Sequence, residues 1–476
     1  MTTVLRRLSA RLYGSAVVWT LVFAVIRSCG NLLVLPLMLH KLAAEDLGFW
    51  YVFLSLGGLS ALVDMGFFPT MSRVTAYLWA GADRIQKLGV STVAEETGPA
   101  LPPNYRLLAD LVKTMRLYYL ALGIGITLLM GVFGTIWIVH KAQHLPQARM
   151  ILGAWLLFLP AVFVNTTSTM WHPLLSGINQ VRVNQQILVW GLVANYLVTF
   201  IGLLLGASLF APVAGYLVMG ALSRVMAQAQ FGRLSQARTY AKGARWSREL
   251  LNTLWPTAWR TGVVSLGLYA TLSVNTLICT AYLGLKATAS YGLSLQLALA
   301  AISIATGFFS VKVPLIAQLH ARGRVTEISR LIFPRLRWFW AVYITLSLAA
   351  VLLGESILEN VLHSKTPLLS TPLLIGLLAV IGLEGHHGIF RELTLTSHRN
   401  PFAKPVIISG ILIVILSFIL VRWLGLWGLI LAPGIVQICF NNWWTVLVGL
   451  HSVGNSMADY LFGLFGLRNS GRSSTA

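Results

Sequence analysis

Residues 17–39 read VVWTLVFAVIRSCGNLLVLPLML, an apolar segment interrupted by one arginine. About 20 consecutive apolar residues cross the hydrocarbon core of a bilayer as a helix, so this segment predicts a membrane span. Arg27 lies near its middle, where a guanidinium costs roughly 2.5–3.5 kcal/mol even on a lenient insertion scale. Asn31 follows one turn later on the same helical face. A charge at this depth indicates a functional position, so Arg27 and Asn31 are candidate substrate-binding residues.

Similar apolar segments occur along the whole chain. Of its 476 residues, 57% are hydrophobic and only 10% are charged, whereas about a quarter of the residues of a soluble domain are charged. Twelve segments of spanning length predict an all-α polytopic membrane protein. The predicted spans lie near residues 15–39, 47–71, 115–139, 149–172, 184–206, 209–231, 255–283, 287–311, 337–358, 367–390, 403–423 and 426–450.

The basic residues are distributed unevenly between the predicted connectors. With the N-terminus inside, 28 of the 35 Lys and Arg residues fall on the inner side and six on the outer side. Cytoplasmic connectors carry such an excess, so both termini are predicted to be cytoplasmic, in a multi-pass protein of the cell (inner or plasma) membrane. The net charge of +21 is spread over many short connectors, which is typical of membrane topology and not of nucleic-acid binding.

A weak internal repeat suggests how the spans are grouped. A shift of 241 residues aligns residues 66–68 with residues 307–309, and both read GFF. A six-helix repeat has an even number of crossings, so both halves would face the same way around a central cleft. We therefore expect a six-helix lobe over 1–232, a basic cytoplasmic linker over 233–250, a second six-helix lobe over 251–450 and a cytoplasmic tail over 451–476.

Three further charged residues lie in or beside the predicted spans. Asp64, in the second span, needs a partner at that depth, and both Arg27 and a helix end are candidates. Arg73 follows at the cytoplasmic interface, where anchoring and substrate binding are both open interpretations. Arg260 lies beside two interfacial tryptophans, and the same two interpretations apply to it.

The tenth predicted span ends in GLEGHHGIFRE, residues 382–392. Glu384, His387 and Arg391 are three and four residues apart in succession, so they share one helical face. A histidine beside a carboxylate can relay protons near neutral pH, which makes these residues candidates for proton coupling. Local ion pairs at a cytoplasmic helix end are the alternative interpretation. The sequence contains no metal-binding, phosphate-loop or catalytic signature, so we expect no metal, no cofactor and no enzymatic activity.

Residues 27–80 resemble the opening of the O-antigen-type polysaccharide flippases. In that family a proline ends the first helix, a polar hinge with an acidic pair and a glycine follows, and the second helix carries Asp-x-Gly and a later arginine. Residues 36–48 (PLMLHKLAAEDLG), Asp64, Gly66 and Arg73 match this pattern. The family belongs to an exporter superfamily with the multidrug and toxin antiporters and the lipid II flippases. The second half departs from the pattern, since GFFSVKVP lacks the Asp and Arg at the matching places.

The resemblance implies two six-helix lobes that move a polyprenyl-diphosphate-linked oligosaccharide from the cytoplasmic to the outer leaflet, for surface polysaccharide biosynthesis. The implied partners are this cargo, membrane lipids and polysaccharide polymerase machinery. Arg27 would form charge-assisted hydrogen bonds with the diphosphate. A cation-coupled multidrug antiporter of the same architecture is one alternative, and it would require an acidic cavity. A membrane enzyme such as a glycan polymerase is another alternative, and it would require a long outer loop.

Overall fold

The structure of the chain, a computed structural model, is all-helical in the part that it describes. It describes residues 14–60, 67–83, 102–235, 243–322, 324–397 and 401–464, and these contain no strand. Their helices are, in chain order, α1 (Ala16–Lys41), α2 (Ala44–Gly57), α3 (Phe67–Trp79), α4 (Tyr105–Ala142), α5 (Ala148–Gly177), α6 (Val181–Leu204), α7 (Phe210–Leu234), α8 (Arg248–Leu272), α9 (Val274–Tyr282), α10 (Leu285–His320), α11 (Val325–Val361), α12 (Thr371–Leu395), α13 (Ala403–Leu424), α14 (Leu426–Ser452) and α15 (Met457–Leu464).

Nine helices in the described part of the chain are long and apolar enough to cross a membrane, namely α4, α5, α6, α7, α10, α11, α12, α13 and α14. A chain with this many apolar helices is a multi-pass membrane protein, as its composition predicts. The other three predicted spans fall in α1, in α2 and α3, and in α8 and α9. Twelve crossings, two lobes around a cleft and cytoplasmic termini stay predictions.

Two of the spanning helices begin earlier than their hydropathy predicts. α4 begins at Tyr105 and α11 at Val325, each well before the predicted spans near 115 and 337. The first turns of α4 are amphipathic, with Leu108 and Leu111 buried and Arg106 exposed. Averaged hydropathy is low over such turns, because their charged face cancels their apolar face. The segments just before these two predicted spans are therefore partly helical.

The chain divides into two compact units, unit 1 (Met1–Leu266) and unit 2 (Gly267–Ala476). The division lies inside α8, which belongs to unit 1 as far as Leu266, and Leu254 and Ala258 are buried in the core of that unit. The predicted second lobe, starting at 251, begins ahead of this division.

Unit 1 is built around α5, α6 and α7. α6 packs against α1 and α7, while α5 packs against α4 and α7. An aromatic group joins α2 to α5, with the rings of Phe53 and Trp155 5.1 Å apart and those of Phe53 and Phe158 5.3 Å apart. The larger core cluster contains Phe67, Met71, Leu108, Leu111, Met115, Tyr119, Leu174, Phe231 and Leu254.

The segment before α8 is held against α4 within unit 1. The backbone N–H of Arg245 donates to Asp110 Oδ1 at 2.6 Å, and Lys113 Nζ donates to the carbonyl of Ala244 at 2.9 Å. These contacts use one face of α4, since Asp110 and Lys113 are three residues apart. This part of the predicted basic linker is therefore fixed by protein contacts.

Unit 2 repeats several helix pairings of unit 1 in the same chain order. α13 packs against α9 and α14, as α6 packs against α1 and α7, and α12 packs against α14, as α5 packs against α7. The core of unit 2 contains Phe309, Ile316, Ile328, Ile332, Phe339, Tyr343, Phe390, Leu393 and Leu450. The small C-terminal helix α15 packs against α11 and α14.

Candidate functional site

Arg27 lies on α1 with its side chain exposed. The phenol of Tyr196 on α6 donates to the backbone carbonyl of Arg27 at 3.5 Å. This approach depends on Gly30, one turn further along α1, because a Cβ at that position would lie 2.1 Å from Cε2 of Tyr196. The Arg27 guanidinium forms no hydrogen bond or ion pair with any other described residue. A substrate-binding role for Arg27 stays a prediction.

The other predicted binding residues of this region are only partly described. Asp64 lies outside the described residues, so its pairing with Arg27 stays a prediction. Asn31 is on α1 and Arg260 on α8, and the side chains of both are outside the described part. Arg73 is on α3 with an exposed side chain. A shared role of Arg73 and Arg27 in binding also stays a prediction.

A second arginine, Arg224, lies inside a spanning helix of unit 1. Its Nη1 donates to the hydroxyl of Thr167 on α5 at 2.5 Å, and Thr167 is buried. The topology count assigns Arg224 to the cytoplasmic basic residues, but it lies ten residues before the end of α7 at Leu234. Charge counts miss such a residue because they do not record where a helix ends.

Arg27 and Arg224 lie at similar distances from the predicted cytoplasmic ends of their helices. At 1.5 Å per residue, Arg27 is about 17 Å from the start of α1 and Arg224 about 15 Å from the end of α7. The carboxylates among the described residues of unit 1 all lie close to helix ends, and they are Glu45, Asp46, Asp83, Asp110 and Glu249. Away from the helix ends, the described charged residues of unit 1 are thus basic.

In unit 2 the structure brings Glu384 and His387 together. His387 Nε2 lies 3.6 Å from Glu384 Oε1, and both side chains are mostly buried. α12 continues for about three turns beyond Glu384, to Leu395. The choice between proton coupling and local ion pairs stays a prediction. Arg391 is half-buried one turn beyond His387 on the same helix.

Two amide side chains of α14 extend this pair. Gln437 Nε2 donates to Glu384 Oε2, and Asn442 Nδ2 donates to Gln437 Oε1 at 3.0 Å. The residues Gln437–Asn441 form a π-helical turn. Because a π turn closes between residues five apart, it brings Gln437 and Asn442 to the same side of α14. In the sequence, Gln437 and Asn442 are only isolated polar residues, because nothing in their spacing predicts a π turn.

The hydrogen bonds continue from Asn442 to the C-terminal helix. His386 Nδ1 lies 2.9 Å from Asn442 Oδ1, and His386 Nε2 lies 3.0 Å from the phenol oxygen of Tyr460 on α15. The position of Tyr460 depends on where α15 begins. Ser456 sets this start, because its N–H and hydroxyl both donate to Asp459 Oδ2, at 2.9 and 2.7 Å, in a capping arrangement.

The two groups differ in what they can do chemically. The arginines of unit 1 can bind an anion through charge-assisted hydrogen bonds. The Glu384 carboxylate of unit 2 accepts from Gln437 through one oxygen, and its other oxygen faces the His387 ring at 3.6 Å, which makes this pair a candidate for proton exchange. Within the described ranges no group of three or more His, Cys, Asp or Glu residues is arranged to hold a metal ion.

No family model and no curated protein matches this chain, but solved structures do. An inward-facing multidrug resistance MATE family transporter of the MOP superfamily is similar with a TM-score of 0.63 and 12% identity, over 94% of this chain and 98% of that one. An outward-facing one has a TM-score of 0.55 and 11% identity, over 96% and 95%. A MOP superfamily transporter from Pyrococcus furiosus, whose binding pocket of reverse polarity suggests a different function, has a TM-score of 0.54 and 13% identity, over 93% and 97%. The chain therefore has the fold of the MATE transporters of the MOP superfamily.

Proposed function

We propose that the chain is a cell-membrane transporter that works by alternating access and moves a polyprenyl-diphosphate-linked oligosaccharide from the cytoplasmic to the outer leaflet. The shared fold supports alternating access, since similar transporters have been solved facing inward and facing outward. It leaves the cargo open, because a transporter with a pocket of reverse polarity has this fold too. The cargo must be argued from the residues of this chain.

The observation that carries the proposal is that the described charged residues of unit 1 away from its helix ends are basic. The Arg27 guanidinium has no described partner, and Arg224 donates to a neutral hydroxyl, so neither charge is cancelled by a described carboxylate. A diphosphate supplies the missing negative charge and accepts paired N–H donors from a guanidinium. A hydrogen bond to a charged group is worth about 1.5–3 kcal/mol, so each arginine could strengthen binding by about tenfold or more.

A multidrug efflux pump is the second candidate, because the similar structures include multidrug resistance transporters. Such a pump for cationic drugs needs a carboxylate facing its cargo. The described carboxylates of unit 1 lie close to helix ends, so among the described residues the candidate for this role is Glu384 of unit 2. This candidate therefore predicts that Glu384→Gln abolishes drug export, while Arg27→Ala leaves drug export intact.

For energy coupling we propose the proton, with Glu384 and His387 as the groups that exchange it and Arg391 as the neighbouring fixed charge. Their short separation and burial support this assignment. Glu384→Gln and His387→Ala should each remove the dependence of transport on the proton gradient. Unchanged dependence in both variants would end the assignment.

The test of the cargo is a transport assay with purified protein in lipid vesicles. Fluorescent polyprenyl-diphosphate oligosaccharide should move between leaflets, while an analogue with a neutral linkage and a cationic dye should not. Movement of the dye without the diphosphate lipid would establish the second candidate instead. In cells, deletion of the gene should cause one lipid-linked oligosaccharide to accumulate inside, and its structure would identify the glycan and the polymerase machinery that follows.

A further inference from the structure

The hydrogen bonds between Tyr460 and Glu384 all run in one direction. Asn442 Oδ1 can only accept, so Nδ1 of His386 carries a proton, and Nε2 of the neutral ring accepts from the Tyr460 phenol. Asn442 then donates to Gln437, and Gln437 donates to Glu384. Each donor in this chain thus points toward the carboxylate.

A chain of aligned donors stabilises the ionised form of the group at its end. Hydrogen bonds in a low-dielectric interior polarise one another, so the links between Tyr460 and Gln437 strengthen the bond that reaches Glu384. His387 lies against the other oxygen of the same carboxylate. Among the described residues no arginine or lysine contacts Glu384, so the groups that face its carboxylate are the Gln437 amide and the His387 ring.

Protonation of Glu384 changes which groups in this series of hydrogen bonds must donate and which must accept. If the proton binds the oxygen that faces the Gln437 amide N–H, two donors oppose each other. Rotating the Gln437 amide removes that conflict but creates the same conflict with Asn442, and rotating Asn442 passes it to His386. His386 must then move its proton to Nε2, and the Tyr460 phenol must accept. The hydrogen bonds between Tyr460 and Glu384 can thus run in two opposite directions, and a proton on the oxygen that faces Gln437 decides between them.

We propose that His386 and Tyr460 are positioning residues that set the protonation of Glu384 through this hydrogen-bond chain, so that the C-terminal helix α15 acts on the coupling carboxylate. The inference rests on the proposed role of Glu384 in coupling and is independent of the cargo. Placement of Tyr460 supports it, since its ring also packs 5.9 Å from those of His386 and Phe390. α15 therefore has both polar and apolar contacts with α12.

The other titratable groups around Glu384 lie off the chain. His387 lies 3.6 Å from Glu384, Arg391 interacts with His387 one turn further along α12, and Tyr343 of α11 contacts α12 at Leu378. On α10, the side chain nearest a Cβ built at Gly385 is the apolar Ile302. Tyr343 provides a matched control, because its phenol donates to the carbonyl of Leu378 on α12 at 2.6 Å and not to the chain.

The test compares Tyr460→Phe with Tyr343→Phe in the full-length protein in lipid vesicles. Infrared difference spectra across a pH titration report the protonated carboxyl of Glu384, identified as the band that Glu384→Gln lacks. Tyr460→Phe removes the phenol, which donates to His386 when Glu384 is ionised and accepts from it when Glu384 is protonated. Because a phenol is a stronger donor than acceptor, the ionised state loses more, so the midpoint of Glu384 protonation should move to higher pH by up to about one unit, the equivalent of one hydrogen bond. Tyr343→Phe should leave the midpoint unchanged.

A midpoint in Tyr460→Phe equal to that of the wild type would overturn the inference. If that variant does not fold, Asn442→Ala interrupts the same chain from α14 and should give the same upward movement, with an unchanged midpoint again contradicting it. The titration needs no transported cargo. A protein that flips no lipid but shows the movement would refute the proposed function and leave this inference standing.

Discussion

Gly30→Ala tests the close contact between α1 and α6 that positions Arg27. The added Cβ would lie 2.1 Å from Cε2 of Tyr196, whereas ordinary van der Waals contacts are 3.4–4 Å. The two helices must therefore separate by more than an ångström, or the Tyr196 ring must rotate out of place. Overpacking of this kind costs about 1–3 kcal/mol, and replacing a helical glycine by alanine returns about 0.5–1 kcal/mol. We expect the free energy of unfolding to fall by about 1–2 kcal/mol.

The measurement is unfolding in detergent micelles, for Gly30→Ala, Tyr196→Ala and the double variant. Since the double variant has room for the new methyl group, Gly30→Ala should cost little in the Tyr196→Ala background, with a coupling energy of about 1 kcal/mol or more. Gly125→Ala on α4 is the matched control, because a Cβ there meets nothing within 4 Å. If Gly30→Ala behaves like Gly125→Ala, the contact and its role in placing Arg27 are refuted.

Two further predictions concern Arg224 and a buried carboxylate at the start of α2. Thr167→Val removes the hydroxyl that accepts from Arg224, and we expect lipid flipping to fall about tenfold, since a charged hydrogen bond is lost; a normal rate would show that Arg224 needs no such support. Asp46 is buried beside Gln147, and burial raises the pKa of its carboxyl above the ordinary 3.8. A raised pKa in the folded state makes stability fall as pH rises from about 3.8 through the folded value. Asp46→Asn should therefore stabilise the protein at neutral pH. It should also reduce the change of the thermal-unfolding midpoint with pH across that range, and an unchanged pH dependence would contradict this.

The helical membrane-protein class followed from the sequence because apolar run length is a direct consequence of bilayer thickness. Helix ends were harder to predict. The first turns of α4, with Leu108 inward and Arg106 outward, have a mean hydropathy typical of a surface segment. Their burial depends on packing against other elements of unit 1, which a local average does not contain.

The candidate sites, too, could be predicted from the sequence only in part. Arg27 and Glu384 could be found from the sequence because a charge inside an apolar run is conspicuous. Arg224 was assigned to the cytoplasmic side, since it lies close in sequence to the basic segment after α7. The chain from Glu384 to Tyr460 joins α12, α14 and α15 through a π turn. Such a chain depends on helix register and amide orientation, so no sequence spacing encodes it.

The central claim is that a positive charge at Arg27 holds an anionic, diphosphate-linked lipid during transport. The most direct measurement is the rate at which vesicles containing wild type, Arg27→Ala, Arg27→Lys or Arg106→Ala flip fluorescent polyprenyl-diphosphate oligosaccharide. Arg106 is exposed near the start of α4 and controls for the loss of a basic residue. We predict wild-type flipping in Arg106→Ala, partial flipping in Arg27→Lys, and at least a tenfold loss in Arg27→Ala. Flipping by Arg27→Ala at the wild-type rate would contradict the claim.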